Sequence, residues 1–174
     1  MGKSKMLWGI LRPSFIRMTE RAFFVGMRHG YAFGYKGEPH PRIPEWKRIW
    51  RVVDGCWLVV DEWCDEGGRT LISYEPNRAI LQLDCCIPIW GMVYGGSYSE
   101  QAIPCLKAAL TRQYEREYFC AGRGSNYFPS EKHGSSYHNS WRGTFEKFEA
   151  EECVREAEGR EKIGEHTISG GMLI

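Results

Sequence analysis

The sequence predicts an α+β domain: an antiparallel β-meander of about seven to eight strands packed by one central helix, behind a partly helical, basic N-terminal arm. Three observations carry this. Short apolar runs bounded by Gly, Pro, Asn and Asp recur over residues 50–94 and again over 141–169, the pattern of strands joined by tight turns. One stretch switches to helical spacing, with Ile103, Leu106, Leu110, Tyr114 and Tyr118 recurring on a single face. Charge is also divided. Residues 1–52 hold eleven Lys and Arg against three acids, a net +8, while residues 53–174 carry −7, so the overall +1 conceals a basic arm on an acidic body.

Residues 16–28 have helical period and stop at Gly30, with Pro13 expected to break the turn before them. The connector Glu38–Pro44 holds three prolines and is extended. Trp50–Val53 and Cys56–Val60 flank Asp54-Gly55, a two-residue hairpin turn. Gly67-Gly68 reads as the next turn before Thr70–Tyr74, and Glu75–Arg78 as a third. Ala79–Leu83 and Ile87–Tyr94 follow as strands, broken near Cys86 because Pro88 favours a strand start. Ser97 and Glu100 have the spacing of a capping box for the central helix. Residues 121–140 read as a long polar loop, and Trp141–Phe148, Glu152–Ala157 and Lys162–Ser169 as the closing strands. The division expected is an arm over residues 1–30 and one domain over 31–174. The segments 87–96 and 162–171 both end on Gly-Gly, which suggests a duplicated strand unit or shared turn chemistry.

At 174 residues, 43% of them hydrophobic and 26% charged, collagen-like, coiled-coil and wholly disordered readings are excluded. A chain of this length buries roughly 70% of its unfolded surface, so it needs no disulfide or metal to hold a core. No run of eighteen apolar residues offers a transmembrane helix. Met1-Gly2 is followed by Met6, where a myristoylation motif requires Ser or Thr. The first 28 residues are Arg-rich and nearly free of acids, a composition that suits a mitochondrial presequence or an amphipathic surface helix.

The seven cysteines form no C-x-x-C and no zinc-ligand spacing, which reads as reduced thiols in a reducing compartment. The five histidines fall mostly in Gly, Ser and Pro-rich stretches and read as surface residues. Asp61–Glu66 is acidic but lacks an EF-hand register, so a solvated hairpin end is expected there. Asp84, beside apolar strand residues, is a carboxylate that must be paired or raised in pKa. Gly122–Ser125 follows a helix rather than a strand, which argues against a phosphate cradle. Trp50, Trp57, Trp63 and Trp90 line either a ligand-stacking sheet face or an aromatic core under a helix.

Several blocks resemble an uncharacterised bacterial domain-of-unknown-function family, found alone or fused to helix-turn-helix regulators. They are Tyr31-Ala-Phe-Gly34, Asp54-Gly55 with Trp57 and Asp61, and the Pro-Ile-Trp-x-Met-x-Tyr-x-Gly run from Pro88 to Gly96. Leu106–Leu110, Gly143-x-Phe145-x-x-Phe148 and Ile168–Gly171 continue the likeness, over roughly residues 20–172. The sequence departs from that family where Glu165, His166 and Ser169 replace aromatics of the last strand. The resemblance implies an α+β fold and supplies no chemistry.

The expected function is a non-catalytic interaction module, an accessory subunit docked into a larger assembly, with a mitochondrial complex as the expected setting, through Lys3, Lys5, Arg12, Arg17, Arg21 and Arg28. Its partners are other protein subunits or an anionic lipid surface. Nucleic acid is disfavoured, because the strand body is acidic. The alternative is a small-ligand-binding or regulatory domain using a face built of Trp57, Trp63, Trp90 and Asp84. An enzyme acting through Asp84 or a cysteine ranks third, with no catalytic residue, cofactor or metal ligand assigned.

Overall fold

The computed structural model describes residues 3–76, 86–156 and 161–174, with the backbone alone for residues 3–10. In chain order, α1 (Lys3–Met27) leads through a 3-10 turn (Tyr31–Phe33) into a first meander. Its strands are β1 (Glu38–Pro39), β2 (Lys47–Val53), β3 (Trp57–Cys64), β4 (Gly67–Tyr74) and β5 (Pro88–Tyr98). α2 (Ile103–Arg116) follows, and a second meander closes the chain with β6 (Tyr127–Ser130), β7 (Ser135–Thr144), β8 (Lys147–Glu156) and β9 (Lys162–Met172). Every pairing is antiparallel. β9 returns beside β5, giving one nine-stranded open sheet in the order β1-β2-β3-β4-β5-β9-β8-β7-β6. The α+β class expected from the sequence is the class observed.

Both helices lie on one face of the sheet, here the inner face. Alternation sends Trp57 and Val59 of β3, Trp90 and Met92 of β5, Phe148 and Val154 of β8 and Tyr137 of β7 to that side. Phe23 of α1 is the hub of the core, with ring centroids 5.3 Å from Trp90, 5.9 Å from Tyr114 of α2 and 6.4 Å from Phe145. The indole of Trp90 stacks on Phe145 at 4.8 Å and donates its N–H to the Phe145 carbonyl. The two meanders therefore share one aromatic core.

Several local expectations are corrected. α1 runs unbroken through Pro13. A proline removes one helical hydrogen bond, and packing replaces what is lost: Phe15, two residues on, lies against Trp57 and Tyr74. The C-terminal half of α1 is built into the domain, since Ala22, Phe23, Phe24 and Met27 belong to the same core as the sheet. The turn between β3 and β4 falls on Asp65-Glu66, with Gly67-Gly68 opening β4. Ser97 lies within β5, and α2 starts at Ile103 after the N-cap residue Ala102, with no side-chain cap and a proline in its first turn. The supposed polar loop 121–140 contains β6 and half of β7. Asp54 and Gly55 do make the expected turn, with φ of 50° and 72°. The expected strand Ala79–Leu83 lies outside the described residues.

The segments ending on Gly-Gly prove to be the two central strands, paired with each other. Gly95 and Gly170 are 75 positions apart, an odd offset, and they face opposite sides of the sheet. A duplicated strand would keep its faces, so shared turn chemistry is the better account.

The sheet ends are short. β1 has two residues and β6 four, and each carries a proline, Pro39 and Pro129.

Candidate functional site

The inner face holds a buried ionic network beside the aromatic core. Glu152 is 1% exposed on β8, in the inward series Phe148, Ala150, Glu152, Val154. Arg123, in the loop after α2, donates Nε and Nη2 to its Oε1 at 2.9 and 2.6 Å. The Tyr137 hydroxyl donates to Oε2, and His166 Nδ1 of β9 stands 3.3 Å from Oε1. Burial alone would raise this carboxyl; the Arg123 charge and the converging donors outweigh it and hold Glu152 at about 2. Positive φ at Ala121 and Gly122 turns the loop inward, and Asn139 clamps it through the Cys120 and Gly124 carbonyls. Arg123 also lies over the Tyr94 ring at 4.8 Å.

Two further carboxylates are buried on β3, facing opposite ways. Asp61 points inward and accepts from Thr70 Oγ1 at 2.9 Å; burial pushes its carboxyl up to about 6, against the Thr70 hydrogen bond and the Arg123 charge. Glu62 points outward between Arg48 and Arg69, its cross-strand neighbours, and their guanidiniums keep it low despite burial. Backbone amides of Arg42 and Ile43 donate to His40 Nδ1, and Nε2 stands 3.0 Å from Glu62 Oε1 and 2.8 Å from Arg48 Nη2. The expected solvated hairpin end is thus confined to Asp65 and Glu66. His40 and His166, read as surface residues, are buried.

The outer face of β5, β9, β8 and β7 carries a solvent-open groove in two adjoining parts, of about 740 and 660 Å³. Its floor follows from the ladder register. Gly95, Thr167, Glu151 and Ser140 stand in one cross-strand row, between the rows Val93–Ser169–Glu149–Arg142 and Ser97–Glu165–Cys153–His138. Glu152 and His166 contribute to the wall of the second part. The buried network therefore stiffens the strands whose outer sides form the floor.

The residues expected to form a site are scattered. Trp57 and Trp90 are fully buried under the helices and Trp63 nearly so, packed on Tyr31, as in the aromatic-core account of these residues. Asp84 lies outside the described residues. Among the basic residues, Arg12 pairs with Glu146 at 2.8 Å, Arg21 approaches Asp54 at 4.0 Å, Arg28 pairs with Glu117, and Arg17 reaches Ser14. The helix thus lies on its own acidic body. Lys3 and Lys5 lie in α1. Among the described residues no group of three or more His, Cys, Asp or Glu is arranged to hold a metal ion, and no helix is long and apolar enough to cross a membrane.

Fold and groove together define an α+β domain built around one open antiparallel sheet. The chain belongs to the family described as a domain of unknown function (DUF5680), which matches residues 77–173, more than half of its length. That span contains Arg123, Tyr137, Glu152, His166 and the whole groove floor. Comparison with curated proteins gives no match.

Proposed function

We propose that this chain is a small-ligand-binding domain of regulatory type, and that its ligand lies in the outer-face groove rather than on a tryptophan face. The observation that carries this is Gly95. Its backbone is not in the left-handed region, and a Cβ there would meet nothing closer than the Glu66 carbonyl at 3.9 Å. Neither conformation nor packing requires glycine at this position; what its absent side chain does is keep the floor open. Concave clefts of roughly 300–1,000 Å³ with a few placed polar groups are where small molecules bind. A Gly95→Phe variant fills the floor while leaving the core intact. In a thermal-shift screen against metabolites, the wild type is expected to respond to at least one compound class and Gly95→Phe to none. Equal responses, or a flat screen of the wild type, would overturn the reading.

A second reading keeps the accessory-subunit role and the mitochondrial setting. It is favoured by Leu11 and Met18, 54% and 52% exposed on α1 beside Arg17 and Arg21, an apolar and basic helix surface of the kind that docks. Under it, Leu11→Glu/Met18→Glu loses co-purifying subunits at unchanged Tm.

A further inference from the structure

The charges around the groove are nearly all committed. Arg142 holds Glu149 through Nε at 3.2 Å and Nη2 at 2.6 Å. Lys162 pairs with Glu165, and Arg123 with Glu152. Arg155 acts electrostatically on Glu165 and on His138. Glu151 is the exception. Its side chain makes no hydrogen bond or ion pair to any described residue, although it feels the charge of Arg142. It also lines both parts of the groove, at their junction.

Directly across the ladder from Glu151 stand Thr167 on one side and Ser140 on the other. Facing side chains on adjacent strands have Cβ atoms about 4.5–5.5 Å apart. A nitrogen above the row is therefore within reach of the carboxylate and of one flanking hydroxyl, while a guanidinium, with its nitrogens spread in a plane, extends toward both sides. An ammonium has three donors and no acceptor, so it makes a charge-assisted bond to the carboxylate and one to a flanking hydroxyl, with solvent taking the third in this open groove. An anion in the same place meets the uncommitted Glu151, and the cations Arg142 and Lys162 are already held by Glu149 and Glu165. Past Thr167, the bare floor at Gly95 leaves room for the rest of the molecule.

We infer that the groove takes a ligand bearing a primary ammonium or guanidinium group, seated on Glu151 between Ser140 and Thr167. The inference rests on the groove being the ligand site, and the test separates the two. Spermidine, arginine methyl ester and inorganic phosphate are titrated calorimetrically into the full chain and into Glu151→Gln, Glu100→Gln and Gly95→Phe. The expected result is amine binding by the wild type and by Glu100→Gln, weakened at least tenfold in Glu151→Gln and abolished in Gly95→Phe. Amine binding that survives Glu151→Gln overturns the inference. Phosphate binding that Gly95→Phe abolishes, with no amine binding, overturns the cation and leaves the groove standing. Amine binding lost in Glu151→Gln but kept in Gly95→Phe retains the cation and overturns the groove.

Discussion

Asp61 and Glu152 are both buried carboxylates on the inner face, yet their environments drive them apart. Glu152 has a guanidinium on it and is held at about 2. Its contribution to stability is present above the ordinary glutamate range and lost as pH falls through it toward 2. Asp61 has a hydroxyl and a more distant charge, and burial raises it from 3.8 to about 6. The sign is therefore opposite: the folded state holds the proton more tightly, so stability is full below about pH 4 and declines as pH rises to about 6. Asp61→Asn is expected to remove that decline and to raise stability at pH 8 by up to about 3 kcal/mol, read as the difference between variant and wild type in denaturant unfolding from pH 4 to 8. Glu152 was legible in principle, because Phe148, Ala150 and Val154 alternate around it and put position 152 inside. Asp61 and Glu62 were not. The run Trp57–Cys64 is buried on both sides, so it has no period from which to read a face, and its acids blend into the exposed pair at the turn.

Among the elements, α1 shows most clearly where sequence patterns mislead. Its basic residues and Pro13 suggested a broken helix in a basic arm, but Thr19, Ala22, Phe23, Gly26 and Met27 form one buried stripe against the sheet. The closest approach is at Gly26, where a Cβ would fall 2.5 Å from Val59 Cγ1. Gly26→Ala should therefore destabilise the protein by about 1–3 kcal/mol, because overpacking outweighs the gain in helix propensity. An exposed glycine-to-alanine change in a helix would raise the denaturation midpoint; here it should fall. The strands were more legible than the helix boundaries. The turn residues Asp54-Gly55 and the strand start at Pro88 act locally, whereas the start of α2 and the pairing of β6 with β7 depend on what the chain packs against. The four tryptophans were ambiguous for the same reason, since a sheet face is apolar whether a helix or a ligand covers it.

For the molecule as a whole, the charge division is resolved internally: the basic helix lies on the acidic body through exposed pairs worth about 0–1 kcal/mol each. Apolar contacts hold α1 in place. Removing residues 1–30 is thus expected to leave an unfolded chain, seen as loss of near-ultraviolet tryptophan dichroism and of a cooperative melting transition; a cooperatively folded remainder would show that the sheet and α2 suffice. The last consequence comes from the ends of the sheet. An open antiparallel sheet of nine strands offers two unpaired edges, each a template for another chain. Here the outermost strands span two and four residues, and Pro39 and Pro129 each withhold a backbone donor. Edge-to-edge growth is thereby blunted at the outermost strands, while residues 49–53 of β2 and 140–144 of β7 have no strand beyond them among the described residues.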